Sequence, residues 1–306
     1  MFRQSAVPSS LIMLLAASGL SAQSTDGPWF GSVDVQGLLS SYSGNTTRDT
    51  FRNFGVFIRG EYLERAGVTA GYQRTALGFT DGDRDIAQDN LFLSGRWSTT
   101  PDWASGRITW RLDGHVISND DASGETDDVT VVAPQVSYLN YSRTLYLDLG
   151  FAASSYGDGR LSSESLDIDQ WTPTLGFGFN EQRDWLQLRA YLIEPSIPGR
   201  ARGKDDTAAL ELKWTHWNAG GRLLGLDNVR TSVMLGERIF AVDPDAGGIY
   251  NLSDLQTGGV SLGGEWALSE RDRLLLLLGV EEYENGDIAG EYRNSFVYLS
   301  FSHRWH

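Results

Sequence analysis

Arg107-Ile108-Thr109-Trp110-Arg111-Leu112-Asp113-Gly114-His115-Val116 decides the fold. Ile108, Trp110, Leu112, Gly114 and Val116 share one side of an extended chain, while Arg107, Thr109, Arg111, Asp113 and His115 share the other. Side chains alternate across a β-strand with a period of two, so this stretch predicts one apolar and one polar face. The apolar face suits lipid and the polar face suits water.

Alternation of this kind recurs along the chain in segments of roughly ten residues, the length a tilted membrane strand needs. Before the quoted stretch they are Trp29–Ser40, Phe51–Leu63, Val68–Gly78 and Asn90–Trp97. After it come Val129–Leu139, Thr144–Ser154, Gln170–Phe179, Trp185–Ile193, Ala208–Trp217, Val229–Ala241, Gly259–Leu268, Arg273–Tyr283 and Tyr292–Trp305. The leucine run from Leu274 to Leu278 hides the period, yet Arg273, Gly279 and Glu281 still oppose Leu274, Leu276, Leu278 and Val280. The expected fold is all-β: a transmembrane, antiparallel, up-and-down β-barrel of about fourteen strands, with twelve or sixteen as the alternative counts. An even count brings both chain ends to one side.

The connections alternate in kind. Glu64-Arg65-Ala66-Gly67, Asn140-Tyr141-Ser142-Arg143, Asn180-Glu181-Gln182-Arg183 and Ser269-Glu270-Arg271-Asp272 are short and read as periplasmic turns. Interleaved with them, Ser43–Thr50, Thr80–Gln88, Asn119–Asp128, Tyr156–Asp167, Pro195–Asp206, Asp243–Asp254 and Glu284–Gly290 are longer, rich in Asp, Gly and Ser, and read as outer loops. Ser98–Gly106 and Asn218–Asn228 are longer than their turn positions predict.

At the N-terminus, Arg3 precedes the apolar run Leu11-Ile12-Met13-Leu14-Leu15-Ala16-Ala17 and the small residues near Ser21-Ala22. This predicts a signal peptide over residues 1–22 and a barrel domain over 23–306. The run is too short for a membrane helix, which needs about 20 residues. With no cysteine in the chain, disulfides, lipid anchoring and thiolate metal sites are excluded. The formal net charge is −15, and removing Arg3 makes the mature chain more acidic still, so nucleic acid is not an expected partner. A mean hydropathy of −0.29 is what a soluble protein shows. A barrel accounts for it, because only every second residue meets lipid.

Aromatic residues on the face read as outward gather towards strand ends: Trp29, Phe54, Tyr62, Trp97, Trp171, Trp214, Trp266 and Trp305. Barrels place such residues in girdles at the two interfaces. The last strand alternates Val297, Leu299, Phe301 and Trp305 up to the chain end, with His303 in the apolar row and His306 after it. This pattern resembles that of bacterial outer-membrane β-barrel proteins in general, whose chains often close on alternating apolar residues and a terminal aromatic. The resemblance implies a Gram-negative outer-membrane location. It implies as partners the membrane lipid and lipopolysaccharide and, during biogenesis, the barrel assembly machinery.

The inward face is expected to carry Asp34, Arg59, Glu61, Arg96, Arg111, Asp113, Asp148, Arg189, Glu211, Lys213, Arg230, Arg238, Glu265 and Glu281. Charges of both signs at close quarters can set selectivity. One reading is a constriction in which Arg59, Arg96, Arg111, Arg189 and Arg230 attract an anionic or sugar-like solute. The other is a salt-bridged ladder that stiffens the wall.

A barrel of this size is wider than one that side chains can fill. Only Gln23 to Pro28 separate the expected cut from the first strand, so no plug domain is expected and loops must do any narrowing. Asp81, Asp83, Asp85 and Asp89 have a calcium-loop spacing, but Ile86 and Phe92 stand where such a loop needs Gly and Glu. No metal or cofactor is therefore expected. His115 is expected near the outer rim, and His216, His303 and His306 near periplasmic strand ends, none with a recognisable catalytic spacing.

The expected role is a porin-like channel for small hydrophilic solutes and not an enzyme, inferred from architecture. The rivals are an export or assembly barrel for exopolysaccharide or surface components with a periplasmic partner, an outer-membrane hydrolase, and a structural barrel with a sealed lumen.

Overall fold

The computed structural model describes residues 29–44, 48–63, 65–80, 85–120, 126–158, 164–218, 225–245, 248–249, 254–285 and 290–305. The expected signal peptide lies outside them. Strands β1 (Trp29–Gly44), β2 (Arg48–Tyr62), β3 (Ala66–Phe79), β4 (Ile86–Thr99), β5 (Gly106–Asn119), β6 (Val129–Asn140) and β7 (Leu145–Tyr156) form the first half of the wall. Strands β8 (Leu166–Phe179), β9 (Asp184–Pro195), β10 (Thr207–Trp217), β11 (Asn228–Arg238), β14 (Leu255–Ala267), β15 (Asp272–Asn285) and β16 (Gly290–Trp305) form the second.

These strands pair antiparallel in chain order, and β16 closes on β1 from Gly31 opposite Trp305 to Gly44 opposite Tyr292. The result is the expected closed barrel of fourteen strands. Two further short strands, β12 (Val242–Asp243) and β13 (Gly248–Ile249), pair with each other outside the wall.

Alternation fixes the two faces as the sequence predicts. Along β5 the outward Trp110, Leu112 and Val116 are exposed, while the inward Asp113, His115 and Ile117 are buried. Leu91, Leu93, Leu210, Leu212, Val260, Leu262, Val297 and Leu299 extend the exposed apolar face around the barrel. An apolar surface this continuous belongs against lipid. Trp29, Tyr62, Trp97 and Trp305 gather at the end that carries the termini and the short turns. Phe54 and Trp171 face outward too, but several residues inside their strands.

Several strands, β1, β4, β8 and β14 among them, run about four residues beyond their expected bounds, and β11 falls short of its own. Where the alternation predicts a strand through Ala241, β11 ends at Arg238, after a bulge between Leu235 and Arg238. Gly236 occupies this bulge at φ +96, and a Cβ there would lie 2.5 Å from the Ala208 carbonyl oxygen. Only glycine fits that backbone. The bulge bends the strand end and turns the chain after Arg238 into the barrel.

A half-filled lumen as the candidate functional site

Residues 239–245 form the feature that the sequence reading missed. Ile239 to Ala241 are expected to continue the wall strand and Asp243 to Asp245 to begin an outer loop, yet Ile239, Phe240, Ala241 and Val242 are all 4% exposed or less. They pack inside the barrel against inward side chains that include Ile117, Val129, Tyr156, Ile168, Ile193 and Met234. The Phe240 and Tyr156 rings meet with centroids 5.0 Å apart. Each large side chain buried this way contributes roughly 1.5–3 kcal/mol. Four consecutive apolar residues without alternation, followed by Asp243-Pro244-Asp245, were the available signal.

Polar contacts fix the backbone of this segment to the wall. The Gln170 side-chain amide donates to the Val242 carbonyl at 2.7 Å, and its oxygen accepts from the Val242 N–H at 2.9 Å. Arg111 Nη1 donates to the Pro244 carbonyl at 2.9 Å. At the tip, Arg189 grips both Asp245 oxygens, at 2.9 and 3.0 Å, and donates to Thr174 at 3.0 Å. Lys213 reaches the same carboxylate at 2.8 Å. The two-point Arg189 grip is the strong geometry for a guanidinium and a carboxylate. Burial would raise the Asp245 carboxyl, but the Lys213 and Arg189 charges hold it below the usual carboxylate range.

The far end of the connection is anchored as well. Asp254 is fully buried between Arg48 of β2, Arg202 of the β9–β10 loop and the Tyr292 hydroxyl of β16. Arg48 and Arg202 neutralise its charge, which removes the cost of an unpaired buried carboxylate.

The expected lumen residues therefore divide by position and do not form one ring. Arg111, Arg189 and Lys213 hold the inserted segment. Asp113 pairs with Arg111 at 2.6 Å, and Glu211 with Lys213 at 3.2 Å. Asp148 accepts from Gln135 at 2.7 Å. Near the short-turn end, Glu265 bridges Arg230 at 2.5 Å and Arg273 at 2.9 Å. Towards the loop end, Arg238 donates to Gln256 at 2.6 Å and lies over the Tyr191 ring, while Glu281 accepts from Tyr283 and Asn294.

Beside the inserted segment an open cavity of about 530 Å³ is left against β1–β5 and β16. Asp34, Arg59, Glu61, Arg96 and Arg111 line it, with Asp245 at one edge and Phe57, Phe92 and Tyr298 on the wall. Of the five arginines expected at a constriction, Arg59, Arg96 and Arg111 meet here. Arg189 is buried under Asp245, and Arg230 is tied to Glu265.

The other motifs resolve separately. His115 is 3% exposed on the lumen wall, against Phe92 and 3.4 Å from Asn90, and not at the outer rim. His216 and His303 sit at the short-turn end, each with Nδ1 on an aspartate: Asp184 at 2.8 Å and Asp272 at 2.7 Å. His306, Asp81 and Asp83 lie outside the described residues. Asp85 accepts the Phe79 N–H, and Asp89 is held by Tyr72 and Arg74.

No family model matches this sequence, and no curated protein matches it. Solved structures do. The toluene transporter TodX of Pseudomonas putida superimposes with a TM-score of 0.55 and 11% identity, over 91% of this chain and 90% of that one. The monoaromatic hydrocarbon channel CymD gives a TM-score of 0.55 and 9% identity, over 92% and 89%. At such identities the likeness is one of fold: this chain has the closed, antiparallel barrel of Gram-negative outer-membrane proteins.

Proposed function

We propose that this chain is a bacterial outer-membrane channel for small hydrophilic solutes, which cross the barrel beside the inserted segment. The observation that carries the reading is the charged cavity of about 530 Å³ in a closed barrel whose outer face is apolar. The two superimposable barrels are by name a toluene transporter and a monoaromatic hydrocarbon channel. An apolar solute in this cavity would desolvate Asp34, Arg59, Glu61 and Arg96 and offer them nothing in return. A polar solute or its water replaces those hydrogen bonds, so the lining favours hydrophilic cargo.

The test is single-channel recording from refolded protein in a planar bilayer. Steady current steps are expected. A barrel shown to be folded by its heat-dependent gel migration, yet passing no current, would sink the open-channel reading. Current that appears only after the segment is released would replace it with a gated channel.

A further inference from the structure

The cavity's charges do not all cancel within the protein. Arg96 pairs with Glu61 at 2.7 Å, Arg111 with Asp113, and Asp245 with Arg189 and Lys213. Two side chains are left over. Arg59 has a single 3.4 Å hydrogen bond to Thr69, and Asp34 has one of 3.4 Å from Ser32; among the described residues neither has an ion pair. In the β1–β2 register Asp34 stands opposite Phe57 and Arg59 opposite Ser32, so the two are diagonal neighbours on the inward face. Diagonal neighbours lie roughly 7–8 Å apart. The cavity thus presents one free cation and one free anion side by side. Phe57 borders both, opposite Asp34 and two residues before Arg59 on β2, its ring edge-on to Phe92 at 5.8 Å.

We infer that the preferred cargo is a zwitterionic α-amino acid, with its carboxylate on Arg59, its ammonium on Asp34 and its side chain against Phe57 and Phe92. This assignment rests on the channel reading and names its solute. A solute with one charge would satisfy one of the two residues and leave the other facing it unpaired. A zwitterion satisfies both, and its ammonium and carboxylate, borne on one carbon, are close enough together to meet two neighbouring side chains. The acidic net charge of the chain does not enter, because recognition is local to the cavity.

Proteoliposome uptake at neutral pH tests this with four solutes of similar size: leucine, 4-methylpentanoate without the ammonium, isopentylamine without the carboxylate, and uncharged arabinose. Leucine is expected to enter roughly tenfold faster than arabinose, a difference of about 1.4 kcal/mol, and faster than either single-charge analogue. Arg59→Gln and Asp34→Asn, each checked for folding by heat-dependent gel migration, should each bring the leucine-to-arabinose ratio to within about twofold of unity. The charge-swapped double variant Arg59→Asp with Asp34→Arg should recover much of that ratio. Arabinose uptake without a leucine preference overturns the inference and leaves the channel intact. 4-Methylpentanoate entering as fast as leucine overturns it in favour of an anion site. Uptake of none of the four by a folded barrel overturns both readings.

Discussion

Arg96 and Glu61 show how single residues set the field in this lumen. Their 2.7 Å bridge is partly exposed, 30% and 11% by side chain, so it costs little to break but neutralises a cation at the cavity wall. Glu61→Gln leaves Arg96 uncompensated. Under a salt gradient its reversal potential should move towards anion preference, by about twofold or more in permeability ratio. Arg96→Gln should move it towards cations. Equal reversal potentials in all three proteins would mean that ions do not pass this wall. That these side chains face inward was legible, because a period of two is a local property of each strand. Which cation each acid neutralises was not. Arg96 could be placed beside Glu61 only once the register of β2, β3 and β4 was known, and a single sequence carries no such register.

The inserted segment is the element on which conduction turns. Its apolar residues fill one side of the lumen, and its tip is held by Arg189 and Lys213 through Asp245, with Asp243 3.4 Å from Arg189 as a weaker second contact. Asp245→Ala removes both contacts and costs about 2 kcal/mol, allowing for a carboxylate that is 47% exposed. The expected outcome is a pore whose current steps are about twofold larger or fluctuate between two levels. Unaltered, steady steps would show that the apolar packing and the Gln170 and Arg111 backbone contacts hold the segment without the Asp245 latch.

The pH dependence follows from the sign of the shift. A carboxyl held below its ordinary value stabilises the latched form above the unfolded value of about 3.9, and that stability is lost only as pH falls through the lower folded value. The wild-type step size should therefore be unaltered between about pH 7 and 5. Sequence reading divided this segment between a wall strand ending at Ala241 and an outer loop starting at Asp243, because its partners are far along the chain: Arg111, Gln170 and Arg189 come from three other strands. Only the apolar run Ile239-Phe240-Ala241-Val242, which breaks the alternation expected of a wall strand, hinted at burial.

On the scale of the molecule, the barrel has two unlike ends. Trp29, Trp305 and the turns after β2, β6, β8 and β14 lie at one end; the longer connections, including the pair of anchored ones that meet at Asp254, lie at the other. This asymmetry was the most legible feature of the whole chain, since connection length is written directly in the spacing of the strands. Outer-membrane barrels carry short turns on the periplasmic side and long loops outside. The connection between β9 and β10 has an exposed Asp205-Asp206 pair, and the turn between β4 and β5 exposes Trp103 at 81%. Exposed loop tips tolerate insertions. A protease site placed between Asp205 and Asp206 should be cut in intact cells, whereas one between Asp102 and Trp103 should be cut only after the outer membrane is permeabilised. Cleavage in the reverse pattern would invert the barrel and place the inserted segment at the periplasmic mouth. Cleavage of neither site in intact cells, with both cut after permeabilisation, would remove the chain from the cell surface altogether.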